Sequence, residues 1–373
     1  MKIALITHVP HTIRDSRYYA YGPYVKEMNL WFNYVDTVLL VAPVQEGTVS
    51  AIDLPYQHSE IRLREVSAFS LLSAKEILKT ITYLPRIIRS IYLVMRDADH
   101  IHLRCPGNMG LVACFVQILF PKKNKTAKYA GNWDPNSKQP WSYRLQKWIL
   151  SNTILTRNMK VLVYGQWEGA SRNIVSFFTA TYRDSDKKEV PLRTLDTTIR
   201  FLFVGTLSKG KRPLYAVQLV EALLRSGCDV HLELFGEGAE RENLERYIRE
   251  NGLQQHVVLH GNREAEIVEE AYRKSHFLIL PSQSEGWPKV VAEAMFWGCV
   301  PVATKVSCVP SMLDNGKRGI LLALSIEADR AIIQQCVANP LDYQDKAKQG
   351  MEWSRQFTLD YFESEIQKML KKQ

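Results

Sequence analysis

The chain has 373 residues, of which 46% are hydrophobic and 23% charged, and it carries a net charge of +9. This composition is typical of a soluble globular protein, and the length suits two domains. No apolar run reaches the length of a membrane span, and the amino terminus MKIALITHVP predicts a first strand, not a signal peptide. Six cysteines without CxxC spacing argue against a disulfide framework or structural metal, so we expect a cytoplasmic protein.

The basic excess belongs to the first half of the chain. Residues 1–185 contain 23 Lys and Arg against 13 Asp and Glu, whereas residues 186–373 contain 25 against 26. Such an asymmetry predicts that the first half meets an acidic surface, either nucleic acid or anionic lipid.

Strand-like and helix-like segments alternate along this first half. Helical periodicity is clearest over residues 73–96 and 141–155. The predicted strands are residues 2–8, 37–42, 61–66, 100–103, 127–130 and 161–164. A charged stretch of poor periodicity, residues 182–198, follows them and predicts an interdomain linker.

The alternation then restarts, which predicts a second domain of the same class. Predicted strands at residues 200–204, 231–235, 257–259, 276–280 and 300–304 are separated by predicted helices at 213–225, 241–251, 264–274 and 289–297. Strands separated by helices indicate parallel sheets with helices on both faces. We therefore predict an α/β protein with two Rossmann-like doubly wound domains, at residues 1–185 and 199–350, joined by a linker at 186–198. An amphipathic C-terminal helix is expected within residues 351–373, and its return to the first domain is left open.

Two carboxylates in the second domain lie eight residues apart in SQSEGWPKVVAEAMFWG, residues 282–298. Glu285 lies on the loop after a predicted strand, and Glu293 lies inside the helix that follows. Ligands bind at the carboxyl ends of strands in open parallel sheets, and the free N–H groups of a helix start favour anions. This unit therefore predicts a ligand site. The structural alternative is that Glu293 pairs with Lys289 and that Glu285 only interacts with the positive end of the helix.

Two other loops follow strands of the same predicted sheet. The loop TLSKGKRP begins after Gly205 and contains Lys209, Lys211 and Arg212, which would suit a diphosphate. A basic surface loop is the alternative. The next strand ends in FGEGAE, where Gly236 and Gly238 predict a tight turn.

The segments FVGTLSKGKRP, LELFGEGAERENLE, LHG, LPSQSEGWPKVVAEAMFWGCVPVAT and GKRGILL resemble the C-terminal domain of family 4 of the retaining glycosyltransferases, of the bacterial capsule and exopolysaccharide type. The resemblance is dense over about residues 200–325 and loose over the first half. It implies the GT-B fold, in which two Rossmann-like domains face each other across a cleft.

The resemblance also implies roles for individual residues. Glu293 corresponds to the carboxylate that accepts hydrogen bonds from the nucleotide ribose, and Glu285 to the one that contacts donor-sugar hydroxyls. The predicted donor-binding residues are Gly205, Lys209, Lys211, Arg212, Gly236, Gly238, Glu285, Gly286, Trp287, Pro288 and Glu293, with the backbone amides of residues 286–288 lining the sugar and phosphates.

Lys211 corresponds to the phosphate lysine of the family. Thr206 replaces an arginine that is common there, so either Arg212 or Lys209 is expected to supply the second cation. The resemblance implies no cofactor and no obligatory metal, and the donor substrate is expected to be a UDP- or GDP-linked sugar.

In the first half, DADHIHLRCPGN places Asp97, His100 and His102 at the spacing of the family's DxxHxH strand end. A histidine there is suited to orient an acceptor hydroxyl at neutral pH. A buried structural histidine is the alternative. The residues predicted on the acceptor side are His102, Arg104, Asn108, Trp133 and Asp134, and those predicted to take part in catalysis are His102, Glu285 and Lys211. The family's glycine-rich first loop is poorly matched, since only Gly22 precedes the first helix.

The function implied is transfer of a hexose-type sugar to a hydroxyl acceptor with retention at the anomeric carbon. Two rivals are kept. A nucleotide-sugar epimerase of the same fold class would act on the donor alone, and a non-enzymatic nucleic-acid-binding protein would explain the basic charge.

One helix of the first half predicts a membrane contact. Residues 77, 81, 84, 88, 91 and 95 form an apolar stripe, and basic residues at 75, 79, 86, 89 and 96 lie roughly opposite. The alternative is a core helix with a solvated basic back. Together with Lys122, Lys123, Lys125 and Lys128, this pattern leads to the hypothesis of peripheral attachment to the inner face of the plasma membrane, with a lipid-linked saccharide of polysaccharide synthesis as acceptor.

Overall fold

Apolar runs of four to seven residues form the central strands of two parallel sheets in this computed structural model. The structure describes residues 1–50, 52–67, 74–191, 193–195 and 198–371, with the side chains of residues 74–81 excepted. The chain divides into two compact units, the first comprising Met1–Phe177 and the chain from Glu363 onward, and the second Phe178–Phe362.

The first unit is built on a seven-stranded sheet whose order is β10-β9-β8-β7-β1-β4-β6. All of its neighbouring strands pair in parallel. Its strands are β1 (Lys2–Ile6), β4 (Thr37–Pro43), β6 (Ile61–Val66), β7 (His100–Cys105), β8 (Asn124–Tyr129), β9 (Met159–Tyr164) and β10 (Ile174–Phe177). Every residue of β4 is buried, as expected for a parallel strand covered on both faces.

Helices connect these strands and cover the two faces of the sheet. They are α1 (Gly22–Phe32), α2 (Ala74–Asp97), α3 (Asn108–Val116) and α4 (Trp141–Ser151). Ile101 and Leu103 of β7 point into the core that α2, α3 and α4 complete. His102 points to the opposite face, where its ring lies 4.4 Å from that of Trp31 in α1. The alternation of side chains along a strand therefore decides which residues of β7 meet which helix.

The second unit is built on a six-stranded parallel sheet of order β13-β12-β11-β14-β15-β16. Its strands are β11 (Ile199–Val204), β12 (Val230–Phe235), β13 (Val257–Gly261), β14 (Phe277–Leu280), β15 (Val300–Thr304) and β16 (Ile320–Leu322). Its helices are α5 (Pro213–Arg225), α6 (Arg241–Glu250), α7 (Ala265–Lys274), α8 (Lys289–Phe296), α9 (Val309–Met312), α10 (Ile326–Val337) and α11 (Pro340–Ser354). The predicted fold class, two Rossmann-like α/β domains with parallel sheets, is confirmed.

A small antiparallel sheet in the first unit was not predicted. It consists of β2 (Thr12–Arg14), β3 (Arg17–Tyr21) and β5 (Asp53–Pro55). These strands have three to five residues, too few for a clear alternating pattern. Two of them, β2 and β3, lie in the segment where the sequence departs from a glycine-rich first loop.

The C-terminal helix expected within residues 351–373 is present, but it begins later than the start of that segment. Helix α11 ends at Ser354, and α12 (Leu359–Leu370) begins after Thr358. The hydroxyl of Thr358 accepts a hydrogen bond from the backbone N–H of Tyr361, which starts the new helix. The first residues of the predicted segment belong to α11 instead. The chain from Glu363 onward belongs to the first unit.

The predicted linker is partly described, since residues 192, 196 and 197 lie outside the described residues. The boundary between the units falls between Phe177 and Phe178, eight residues before the predicted end of the first domain. Arg193 donates hydrogen bonds to the carbonyl oxygens of Tyr272, Arg273, Trp297 and Gly298. This part of the linker is thus fastened to the second unit. Within the described residues, no helix is both long and apolar enough to cross a membrane.

Candidate active site

The strand order of the second sheet brings two of the predicted loops side by side. From β11 the chain moves outward to β12 and β13, and it then returns to form β14 on the other side of β11. This reversal makes a topological switch point between β11 and β14, where the loops that follow the two strands diverge and leave a crevice. The loop after β11 contains Lys209, Lys211 and Arg212, and the loop after β14 contains Glu285.

Lys211 and Glu285 form an ion pair in this crevice. Lys211 Nζ lies 2.5 Å from Glu285 Oε1, and the two side chains are 31% and 8% exposed. The backbone also joins the loops, because the N–H of Gln283 donates to the carbonyl oxygen of Gly210 at 2.8 Å. A lysine ammonium and a nearly buried carboxylate are thus held at the point where an open α/β sheet binds ligands.

The glycines after β12 allow this loop to approach the loop after β11. A Cβ atom on Gly236 would lie 2.0 Å from the carbonyl oxygen of Gly205, and one on Gly238 would lie 2.3 Å from that of Leu207. Their φ values of +140° and +157° also favour glycine. The predicted Gly236 and Gly238 therefore pack backbone against backbone.

Glu293 lies on α8 and is bound by two hydroxyl groups. Thr181 Oγ1 donates to Glu293 Oε1 at 2.7 Å, and Tyr272 Oη donates to Glu293 Oε2 at 2.9 Å. The structural alternative was a salt bridge between Glu293 and Lys289, and the described residues do not form it. Burial, and then the neighbouring carboxylate, raise the pKa of Tyr272 well above its usual value, so its hydroxyl stays protonated and donates.

The residues of the EGWP turn lead into α8. Pro288 occupies the position before the first helical residue. The carbonyl oxygen of Gly286 accepts hydrogen bonds from Ser307 Oγ at 3.1 Å and Cys308 Sγ at 3.2 Å. The ring of Trp287 packs against those of Trp353 and Phe357, at centroid distances of 6.1 and 5.7 Å. The indole thus anchors the turn, which leaves its backbone as the part predicted to face a ligand.

Two candidate second cations differ in their surroundings. Arg212 immediately precedes α5 with a left-handed φ of +50°, whereas Lys209 is exposed on the loop. Neither forms a salt bridge within the described chain, so both are available to an anion. No described group of three or more His, Cys, Asp and Glu side chains is arranged to hold a metal ion.

His102 of the first unit does not lie where the prediction requires. Its side chain is fully buried, Nδ1 lies 2.8 Å from Thr126 Oγ1, and the ring packs on Trp31. Burial, and then the charge of Arg104, lower the pKa of His102 well below its usual value. A ring enclosed in this way cannot orient an acceptor hydroxyl, so the geometry supports the structural alternative.

The other residues predicted on the acceptor side are spread over several environments. Arg104 binds Glu27 Oε1 at 2.5 Å, and its side chain is 11% exposed. Trp133 is buried with its ring edge-on to Tyr129, and Asp134 Oδ1 accepts a hydrogen bond from the N–H of Asn136. These three residues organise the protein itself. Asn108, the first residue of α3, is half-buried at the carboxyl end of β7.

His8 is a candidate that sequence reasoning missed. The first sheet has its own switch point between β1 and β7, and His8 follows β1 there. A Cβ atom on Gly107, in the loop after β7, would lie 2.8 Å from His8 Nδ1. His8 is exposed, yet the surrounding protein and then the charge of Arg104 lower its pKa below 6.5, which keeps it neutral at pH 7. The signal was its position at the carboxyl end of the first predicted strand, residues 2–8.

Most of the lysines expected to face a membrane are engaged inside the first unit. Lys123 Nζ donates to the carbonyl oxygens of Met95, Arg96 and Ala98 at the end of α2. Lys125 is 2% exposed, and Lys128 is fully buried and lies 2.9 Å from Glu27 Oε2. Only Lys122 of the four is exposed. The expectation that all four contribute to a basic surface was therefore wrong, because sequence proximity does not reveal which face of a strand a side chain takes.

Comparison with known proteins places the strongest likeness in the second unit. Residues 184–352 match the family described as Glycosyl transferases group 1. The lipopolysaccharide 1,6-galactosyltransferase of Salmonella typhimurium is 29% identical over 135 residues, which are 35% of each chain. The alpha-D-kanosaminyltransferase of Streptomyces kanamyceticus is 28% identical over 142 residues, 37% of each chain. The chain thus spans little more than a third of the length of these curated relatives.

Solved structures resemble the chain over nearly its whole length. The apo form of the lipopolysaccharide outer core galactosyltransferase WaaB has a TM-score of 0.70 at 16% identity, with 99% of each chain covered. The Anabaena protein HepE in complex with UDP and glucose has a TM-score of 0.68 at 16% identity, again with 99% of each chain covered. At these identities the likeness shows the fold, and it agrees with the predicted GT-B class of two Rossmann-like domains.

Proposed function

We propose that this chain is a glycosyltransferase that moves a hexose-type sugar from a nucleotide diphosphate sugar to a hydroxyl acceptor, with retention at the anomeric carbon. The observation that carries the proposal is the Lys211–Glu285 ion pair at the switch point of the second sheet, within the segment that matches the glycosyltransferase family. The names of the relatives, and the UDP and glucose bound by HepE, support the choice of donor.

The crevice offers this donor a cation for its diphosphate and a carboxylate for its sugar. Lys211, with Lys209 or Arg212, meets the diphosphate, since cations there stabilise the charge that develops as the leaving group departs. When the diphosphate shares Lys211, the oxygens of Glu285 become available to accept hydrogen bonds from sugar hydroxyls. Retention is proposed from the resemblance of the motif, and it does not require Glu285 to act as a nucleophile.

Glu293 has the capacity for the ribose. Each carboxylate oxygen has two lone pairs, and one is used on each side by Thr181 and Tyr272. The remaining lone pairs can accept hydrogen bonds from two ribose hydroxyls without displacing either partner. The two protein donors would then hold the carboxylate in one orientation before the nucleotide arrives.

On the acceptor side, we propose His8 and Asn108 at the carboxyl edge of the first sheet in place of His102. His8 is neutral and exposed. Its ring can therefore accept a hydrogen bond from a hydroxyl of the acceptor sugar or donate one to it. The acceptor proposed is a lipid-linked saccharide of surface-polysaccharide synthesis, bound by a protein peripheral to the inner face of the plasma membrane.

The exposed side of α2 supports this membrane contact. Tyr83, Ile88 and Tyr92 are 40%, 41% and 38% exposed, and Arg86 and Arg89 are exposed beside them. Ile88, expected in the core-facing stripe, is therefore on the surface, and Ile87 is buried in its place. Apolar and basic side chains on one helix face suit an anionic leaflet.

The membrane contact is tested by co-sedimentation of the Arg86→Gln/Arg89→Gln variant with phosphatidylglycerol vesicles at low salt. Binding equal to that of the unaltered protein would reject the contact.

The experiment that tests the activity begins with thermal stabilisation by a panel of nucleotide diphosphates and their sugars, since a bound ligand raises the unfolding temperature. Products are then analysed with the best donor, with and without saccharide acceptors, and their anomeric configuration is determined. An epimerase would convert the donor alone, and a nucleic-acid-binding protein would respond to no donor. Glu285→Gln is expected to lower turnover more than affinity for the nucleotide diphosphate. The reverse pattern would show that the two carboxylates have been assigned the wrong way round.

A further inference from the structure

A cavity of about 570 Å³ lies in the first unit at the edge of the sheet opposite to His8 and Gly107. It lies at the amino-terminal ends of three neighbouring parallel strands. Its lining includes His100 at the start of β7, Asn124 at the start of β8 and Met159 at the start of β9. The loops proposed to bind acceptor follow the carboxyl ends of the strands. The cavity is therefore separate from those loops.

The described lining of this cavity contains several cationic side chains and no carboxylate. Lys368 is paired with Glu365. The cationic residues of the lining that form no salt bridge within the described chain are Lys122, Lys125, Arg157, Lys160, Arg172 and Lys371. Like charges gathered around one concave space repel each other, and an anion in that space would relieve the repulsion.

Lys125 gives the cavity a buried cation. Its side chain is 2% exposed, and Nζ donates to the side-chain and backbone oxygens of Gln117 at 2.8 and 3.3 Å. Burial without a compensating carboxylate lowers the pKa of Lys125 to about 8. Of the three N–H donors of the ammonium, two are used by Gln117.

We propose that this cavity is a binding site for a ligand that carries two phosphate groups. The guanidinium groups of Arg157 and Arg172 suit phosphate oxygens, which they can bind in pairs. Such phosphates occur on soluble compounds and on phospholipid headgroups. Leu119 and Ile154, which are 65% and 73% exposed, lie beside the lining segments in sequence, so apolar contacts are available to a lipid as well. The site does not depend on the proposed transferase activity.

The test uses the full chain and two probes, inorganic pyrophosphate by calorimetry and vesicles of phosphatidylcholine with or without cardiolipin by co-sedimentation. The pocket variant is Arg157→Gln/Arg172→Gln, in which both altered side chains are exposed, so folding is preserved. The charge-matched control is Arg62→Gln/Arg64→Gln on β6, at the far lateral edge of the same sheet. All proteins also carry Lys211→Ala, which is expected to weaken pyrophosphate binding at the donor crevice to the same extent in each of them.

We expect the pocket variant to lose at least about tenfold in affinity for one of the probes, since two guanidinium groups that can bind phosphate oxygens are removed. The control variant is expected to bind as its parent does. Loss with pyrophosphate identifies a soluble ligand, and loss with cardiolipin vesicles alone identifies a headgroup. Equal binding by the pocket variant and its parent, equal losses in both variants, or no binding of either probe by the parent would overturn the proposal. Because Lys211→Ala is present throughout, failure of the transferase proposal would not alter these outcomes.

Discussion

Lys211 and Glu285 are 74 residues apart in the chain, and yet Lys211 Nζ lies 2.5 Å from Glu285 Oε1. Each was selected from sequence for a separate contact, the lysine with phosphate and the glutamate with sugar. If the proposed roles hold, the ion pair couples them. A donor whose diphosphate binds Lys211 would then change the electrostatic environment of Glu285.

Lys211→Ala is expected to raise the donor KM and lower kcat, with kcat/KM falling at least about tenfold, because it removes charge that faces the leaving diphosphate. It also leaves a carboxylate that is 8% exposed without its partner, so the unfolding temperature should be measured alongside. Lys209→Ala is the comparison, since Lys209 is exposed on the same loop and is only one of two candidates for the second cation, so its loss is expected to have a smaller effect. A silent Lys211→Ala with a damaging Lys209→Ala or Arg212→Ala would mean that the phosphate role was assigned to the wrong residue.

Glu293→Gln is expected to weaken nucleotide diphosphate binding about ten- to hundredfold, since hydrogen bonds to a charged group contribute about 1.5–3 kcal/mol. The substitution preserves the shape of the side chain. Tyr272→Phe removes one of the donors that orient this carboxylate and should weaken binding to a smaller extent. Calorimetry on the two single variants and the double variant gives their coupling. Strictly additive losses would argue that Tyr272 does not act through Glu293.

Gly236→Ala is expected to destabilise the second unit by about 2 kcal/mol or more and to weaken nucleotide binding. The added Cβ would meet the carbonyl oxygen of Gly205 at 2.0 Å, so the loop after β11 must move. Gly210→Ala is the matched control, because its Cβ would have only Ser208 Oγ nearby, at 4.0 Å. Denaturant unfolding compares the two. A stable Gly236→Ala protein with full nucleotide affinity would contradict the close packing of these loops.

His8→Asn is expected to lower turnover about tenfold or more while leaving nucleotide diphosphate affinity unchanged, as for a group that orients the acceptor. Because the pKa of His8 lies below 6.5, the rate should hold near pH 7 and fall only on acidification below that value. His102→Asn should instead lower thermal stability, since His102 is buried against Thr126 and Trp31. If kcat falls in folded His102→Asn and not in His8→Asn, the original assignment was right.

The first unit is expected to lose stability in acid. Burial lowers the pKa values of His11 and His100 to about 4, against 6.5 for the ordinary side chain. The unfolded chain therefore binds more protons between these values, so stability is complete above pH 6.5 and falls as the pH drops towards 4. Over the whole range from pH 6.5 to about pH 4, each histidine lowers the free energy of unfolding by on the order of 3 kcal/mol. Urea unfolding from about pH 7 to about pH 5 measures the loss, and His100→Gln should reduce its slope. An unchanged slope in that variant would exclude His100 as a source.

The second unit was largely predictable because its signals are local. Helix α5 occupies the predicted residues Pro213–Arg225, because a proline marks its start. Strand β15 occupies the predicted residues Val300–Thr304, because an apolar run defines it within its own sequence. The placement of Glu285 on a loop and Glu293 on a helix followed from the same patterns.

Burial and partnership were decided only by the tertiary structure. The sequence alone predicted that His102 lies on a strand, that Lys128 lies on the next one, and that Glu285 follows a third. Whether each side chain meets solvent, a helix or another charge depends on the order in which parallel strands are laid side by side, which joins residues far apart in the chain. That order buries His102 against Trp31, places Lys125 in a basic cavity and brings Lys211 to Glu285. Long-range contacts of this kind leave no local sequence pattern. Each residue fits the hydrophobic periodicity of its own strand or loop whether or not its tertiary partner is present.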